Sequence, residues 1–75
     1  RSRYRVRLIH RNVPGVMARV NQIFASSEAN VDAQILATVD EVGYVLTDIS
    51  AGLGRKALEE LSHLPETVRL IATPL

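Results

Sequence analysis

Four stretches of the chain alternate apolar and polar residues, and two stretches between them repeat every three to four. In the first alternating stretch, Tyr4, Val6 and Leu8 point one way and Arg3, Arg5 and Arg7 the other, as in a half-buried strand. From Gly15 to about Ser27 the period becomes helical, with Val16, Val20, Ile23 and Phe24 on one face. Asn30 to Asp40 alternates again. Val31, Ala33, Ile35, Ala37 and Val39 are assigned to the core side, and Asp32, Gln34, Leu36 and Thr38 to the free side. Glu41-Val42-Gly43 reads as a hairpin connection, and Tyr44 to Ser50 as a third strand. Gly52-Leu53-Gly54 interrupts that strand. A second helix follows, with Ala57, Leu58, Leu61 and Leu64 as its buried stripe and Pro65 as its end. Thr67 to Thr73 forms the last strand, with Val68, Leu70 and Ala72 directed inward.

The order strand, helix, strand, strand, helix, strand is the split βαβ, ferredoxin-like plan. The expected fold is therefore α+β: one four-stranded antiparallel sheet with both helices on one face and the other face free. That plan serves many roles, so function has to come from particular residues.

Seventy-five residues make one domain, residues 1–75, with a core that is marginal at this size. With no cysteine, neither a disulfide nor a thiolate metal cluster supplements it, and association is the expected remedy. Nine basic and eight acidic residues nearly cancel, which argues against a nucleic-acid binder. No apolar run approaches a membrane span, and a cytoplasmic setting is expected. A chain that opens on Arg1 and enters a strand at once reads as a regulatory fragment of a larger enzyme.

The junction His10-Arg11-Asn12-Val13-Pro14-Gly15 joins the first strand to the first helix. A helix start presents unpaired N–H groups and a partial positive charge, and so welcomes a carboxylate or phosphate. Pro14 suits the first turn. Gly15 lets a small molecule approach the backbone. Asn12 has two readings, as a helix cap or as a ligand contact. His10 and His63 are isolated, the carboxylates are scattered, and the serines lack an activating partner, so neither catalysis nor a metal site is expected.

The runs His10 to Val16, Asn21-Gln22-Ile23-Phe24-Ala25 with Asn30 to Leu36, and Gly43 to Ile49 resemble ACT domains, the amino-acid-sensing modules of metabolic enzymes. Within that family the resemblance is strongest to the C-terminal regulatory ACT domains of D-3-phosphoglycerate dehydrogenases. It implies feedback inhibition of serine biosynthesis by L-serine bound between two copies joined at their sheet edges, as a homodimer or within a tetramer. It further implies no cofactor in this fragment, with NAD belonging to a separate catalytic part. The family's binding positions fall on His10 and Asn12 of one copy and Asn30 of its neighbour. Where a glycine is common before that asparagine, this chain has Glu28-Ala29, and Ala29 is expected to manage the helix exit.

L-serine offers a carboxylate, an ammonium and a hydroxyl. The backbone N–H groups near Val13 to Gly15, or the Asn12 amide, suit the carboxylate. The side-chain carbonyls of Asn12 and Asn30 suit the ammonium. His10 donates to or accepts from the hydroxyl, according to its tautomer. Three alternatives stand beside this reading: an ACT domain of another enzyme such as L-serine dehydratase, a purely structural dimerisation module, and an RNA-binding sheet using Arg3, Arg5 and Arg7. For those arginines a solvated face balanced by acidic neighbours is the preferred reading.

Overall fold

The computed structural model describes residues 2–75; Arg1 lies outside the described residues. Six elements follow in the expected order: β1 (Tyr4–Arg11), α1 (Val16–Ser26), β2 (Val31–Val39), β3 (Val42–Ile49), α2 (Arg55–Ser62) and β4 (Thr67–Pro74). The strands form one sheet in the order β2-β3-β1-β4, each antiparallel to its neighbours. Val6 and Leu8 of β1 and Val45 and Ile49 of β3 meet Val16, Val20 and Phe24 of α1 and Leu61 of α2 in a single core. The central strands are thus covered on one face by both helices, the arrangement of the ferredoxin-like plan.

Directly opposed residues in an antiparallel ladder share a face. On the helix side β3 presents Gly43, Val45, Thr47 and Ile49, opposite His10, Leu8, Val6 and Tyr4 of β1. The open side carries Arg5, Arg7 and Ile9 of β1, opposite Asp48, Leu46 and Tyr44. Arg5 and Asp48 join there in a two-bond ion pair at 2.8 and 2.9 Å.

Strand β2 reverses the sequence-based assignment. Ala33, Ile35, Ala37 and Val39 pair with Asp48, Leu46, Tyr44 and Val42 and so lie on the open face. Gln34, Leu36 and Thr38 pair with Thr47, Val45 and Gly43 and lie on the helix side. A register shift between Val31 and Ala33 changes the phase and leaves Val31 alone of the apolar set on the helix side, opposite Ile49. The polar residue turned inward has a partner: Gln34 Nε2 donates to Thr47 Oγ1 at 3.0 Å and to Asn21 Oδ1 of α1 at 2.9 Å. Thr47 is buried, and a buried hydroxyl needs such a bond.

Two further boundaries move. The hairpin turn is Asp40-Glu41, one residue earlier than the composition suggests, because Val42 and Gly43 belong to the ladder. Asp40, at φ 53°, makes the reversal. In β4, Leu70 and Ala72 oppose Leu8 and Val6 as expected, whereas Val68 sits at a register shift and is exposed.

The exit of α1 is a Schellman motif. The Ala29 amide donates to the Phe24 carbonyl and the Glu28 amide to the Ala25 carbonyl, both at 3.2 Å. The left-handed residue is Glu28, at φ 60°, and not Ala29. Geometry dictates this, since α1 ends on Ser26 with Ser27 as its cap, and the next residue must reverse the chain.

Candidate functional site

The loop after β1 is a type II turn. Val16 N donates to Val13 O at 3.4 Å, Pro14 takes the second position, and Gly15 takes the third at φ 86°, ψ −9°. Proline pre-sets the one angle and glycine supplies the other, so this dipeptide shapes the loop before any ligand is considered. Helix α1 begins only at Val16, which places Pro14 in the turn and outside the first helical turn.

Asn12 does not cap α1; among the described residues no side chain does. Its amide donates to the Glu41 carbonyl at 2.8 Å, fastening the loop to the β2–β3 hairpin. The Val13 amide is also taken, by the Arg11 carbonyl at 3.0 Å, so it is not free to receive a carboxylate as the sequence reading allowed. Among the described residues, the amides of Gly15, Met17 and Ala18 have no backbone acceptor. They form the anion-accepting end of the helix. The Asn12 side chain is exposed in the loop that leads to them.

His10 is 1% exposed. Its Nδ1 lies 2.9 Å from the Arg11 carbonyl. A carbonyl only accepts, so in the neutral ring Nδ1 carries the proton and Nε2 is left as an acceptor. That Nε2 is buried and has no partner among the described residues. A buried acceptor without a donor is costly, and a group that donates to it, a hydroxyl or an ammonium, would relieve the deficit.

Asn30 stands elsewhere in the same chain. It precedes Val31, which opposes Ile49, whereas His10 opposes Gly43, which opposes Thr38 at the far end of β2. Eight residues of strand separate Asn30 from Thr38, roughly 26 Å. One chain therefore brings His10, Asn12, Val13, Pro14 and Gly15 together and leaves Asn30 apart. The Asn30 side chain donates to Asp32 Oδ1 at 2.9 Å, which holds it in place with its carbonyl oxygen unused.

Three residues that frame the loop were not singled out in the sequence. Gly43, read as a turn residue, lies beneath the His10 ring. Glu41 accepts from Asn12. Glu66 accepts from the Arg11 amide through its carbonyl at 2.8 Å, and its carboxylate pairs with Arg19 at 2.6 Å. The Arg19 guanidinium holds the Glu66 carboxyl below the usual carboxylate range. A cavity of about 600 Å³ between α2 and β4, lined by Arg55, Leu58, Glu59 and Arg69 among others, includes none of the predicted site residues. No helix among the described residues is long and apolar enough to cross a membrane.

Comparisons with known proteins agree with this architecture. The chain is 43% identical over 63 residues to D-3-phosphoglycerate dehydrogenase of Escherichia coli K12, covering 81% of the chain and 15% of that protein. To the enzyme of the same name from Dictyostelium discoideum it is 35% identical over 68 residues, covering 91% of the chain and 16% of the relative. The chain thus spans about one sixth of the length of these relatives. Among solved structures, the ACT domain of GTP pyrophosphokinase from Chlorobium tepidum shares the fold with a TM-score of 0.78 at 10% identity, over 96% of the chain and 97% of that domain. The regulatory subunit of aspartate kinase from Thermus thermophilus gives a TM-score of 0.78 at 25% identity, over 97% of the chain and 51% of that subunit. A family model described as an AHAS small subunit-like ACT domain matches residues 6–69, and with the βαββαβ sheet and its glycine-turned loop this places the chain in the ACT domain family.

Proposed function

We propose that the chain is the allosteric effector module of a D-3-phosphoglycerate dehydrogenase and binds L-serine between two of its copies. The observations that carry this reading are the buried Nε2 of His10, without a partner among the described residues, and the open amides of Gly15, Met17 and Ala18 at the other end of the same short loop. The amides donate to a carboxylate, and Nε2 accepts from a hydroxyl or an ammonium. Two groups of opposite demand, set at the two ends of one loop, suit a small zwitterion better than a phosphate, which would leave Nε2 without a donor. The relatives bearing this enzyme's name support the parent activity, and L-serine is what the resemblance of the loop to that family's regulatory domains implies. The oxidation chemistry and its NAD are assigned to residues outside this chain.

The second copy is supported by β2. Every residue of this edge strand except Gln34 is exposed, including Ile35 at 63% and Val39 at 72%. Ala33 to Val39 contains no charge and no proline, the devices that blunt edges. The other edge, β4, has Arg69, a register shift at Val68, and Pro74. Pairing two β2 strands antiparallel about Ile35 sets Asn30 of one copy at the Thr38 end of the other, the row that contains Gly43 and His10. The distance that separates Asn30 from His10 in one chain is shortened between two, to about three strand spacings or roughly 14 Å. A ligand bridging them favours the paired arrangement by its differential affinity, typically about 1–3 kcal/mol of coupling.

Complementation tests the shared site. Asn12→Ala and Asn30→Ala each abolish L-serine binding in calorimetric titration. Mixing the two variants and allowing exchange restores about a quarter of the sites, since half the dimers are mixed and each has one intact site. Binding retained in both single variants would remove the site; loss without recovery on mixing would place both asparagines in one copy.

A further inference from the structure

We propose that Glu66 is a positioning residue for the effector loop, holding both ends of the Arg11–Val16 segment through its own carbonyl and through Arg19. This rests on the reading of that loop as the effector contact. Packing holds the loop only at Val16, which is buried, and Val13, which lies against the core; Asn12, Pro14 and Gly15 are exposed. Beyond its turn, the exposed stretch therefore relies on hydrogen bonds anchored elsewhere.

Glu66 supplies such an anchor on both sides. At the loop's start, the Arg11 amide donates to the Glu66 carbonyl at 2.8 Å. At its end, the Glu66 carboxylate takes Nη2 of Arg19 at 2.6 Å. Arg19 in turn returns to the loop, its amide donating to the Gly15 carbonyl at 3.2 Å. The other terminal nitrogen of Arg19 lies over Gly15, 3.4 Å from where a Cβ would stand. The anchor itself is fixed, because the next residue, Thr67, donates its amide to Leu64 and its hydroxyl to Leu61 at the end of α2.

Two features separate positioning from ligand contact. Thr67, the neighbour of Glu66, opposes His10 from the β4 side, whereas the His10 ring lies over Gly43 on the β3 side. Glu66 thus acts from the flank opposite to that on which Nε2 is presented. Its side chain is only 17% exposed, and Oε1 has no partner among the described residues, so Arg19 is what holds this carboxylate. Removing Arg19 leaves an unpaired, largely buried charge, whereas Glu66→Gln keeps the backbone carbonyl and a neutral acceptor.

The test combines amide hydrogen exchange at Asn12, Val13 and Val16 with L-serine titration of the 75-residue chain. Glu66→Ala and Arg19→Ala are expected to speed exchange at these amides and to weaken L-serine by about fivefold, while Glu66→Gln and Arg19→Lys keep most of both. Unchanged exchange in the alanine variants overturns the proposal, and so does weakened binding with unchanged exchange, which would put Glu66 against the ligand. If the chain binds no L-serine at all, the functional reading falls and exchange alone decides this one. Should the alanine variants fail to fold, a double-mutant cycle of Glu66→Gln with Arg19→Gln takes their place, and additivity in loop exchange overturns the proposal.

Discussion

A Cβ placed on Gly43 would stand 2.3 Å from Cε1 and 2.5 Å from Nε2 of His10, so the imidazole occupies the space of the side chain that Gly43 lacks. Strand β3 thereby forms a seat for a ring that β1 projects, in the row where the two residues are directly opposed. The seat fixes His10 laterally while the Arg11 carbonyl fixes its Nδ1. Gly43→Ala must push the ring aside, at an overpacking cost of about 1–3 kcal/mol. The expected result is a lowered melting temperature and lost L-serine binding. Adding His10→Ala to Gly43→Ala recovers much of the stability, since the clash is gone, but none of the binding. Additive losses in the double variant would show that the two residues do not share this space.

Glu28 holds the left-handed position of the Schellman motif, which glycine usually fills. A non-glycine residue there costs about 1–2 kcal/mol. The side chain is exposed and makes no hydrogen bond or ion pair among the described residues, so nothing is lost with it. Glu28→Gly is expected to stabilise the domain by about 1 kcal/mol in urea denaturation, part of the relief being returned as unfolded-chain entropy. Glu28→Ala, which keeps the Cβ, is expected to change little. A destabilised glycine variant would mean that the strain is absent.

Much of the fold was legible in the sequence because the central strands and both helices obey simple periods. Val6 and Leu8, Val16 and Phe24, and Ala57 and Leu61 were assigned inward and are buried. The failure at β2 has a physical cause. Alternation reports that two faces differ, not which one the helices cover. Here the apolar set of an edge strand lies on the open face, while a polar network of Gln34, Thr47 and Asn21 occupies the helix side. Gly43 misled for a related reason: a glycine in a ladder looks like a turn until the ring it accommodates is seen. For the candidate site, the loop residues were legible from their turn chemistry. The roles of Glu66 and Arg19 were not, because they join segments far apart in sequence and match no local pattern. The balance assigned to the basic face holds for Arg5, which Asp48 pairs, and among the described residues Arg7 has no such ion pair.

Two carboxylates set the acid limb of stability. Arg5 holds Asp48 below the ordinary aspartate range, and Arg19 does the same for Glu66. A carboxyl with a depressed folded value binds fewer protons in the folded state than in the unfolded one. Its contribution is therefore complete above the unfolded values of about 3.9 and 4.3 and is lost as pH falls through the folded ones. The melting temperature is expected to be flat above about pH 5 and to fall steadily toward pH 3. Asp48→Asn and Glu66→Gln together should lower the plateau and flatten that limb. An acid limb of unchanged steepness in the double variant would assign it to other groups.

Association through β2 gives the last prediction. In antiparallel pairing about the strand centre, Ile35 faces Ile35 of the second copy, and Ala33 faces Ala37. Ile35→Lys then places two like charges directly opposite one another, which sheets disfavour. The dimer dissociation constant, measured by sedimentation velocity, is expected to rise at least tenfold, about 1.4 kcal/mol. Ile71→Lys is the control: Ile71 is also exposed on the open face, but on β4, away from this edge, and its variant should associate like the parent. L-serine should shift the parent toward dimer and leave the Ile35→Lys chain monomeric at the same concentration. If the two lysine variants associate equally well, β2 is not the contact, and the pairing that brings Asn30 to His10 must be abandoned with it.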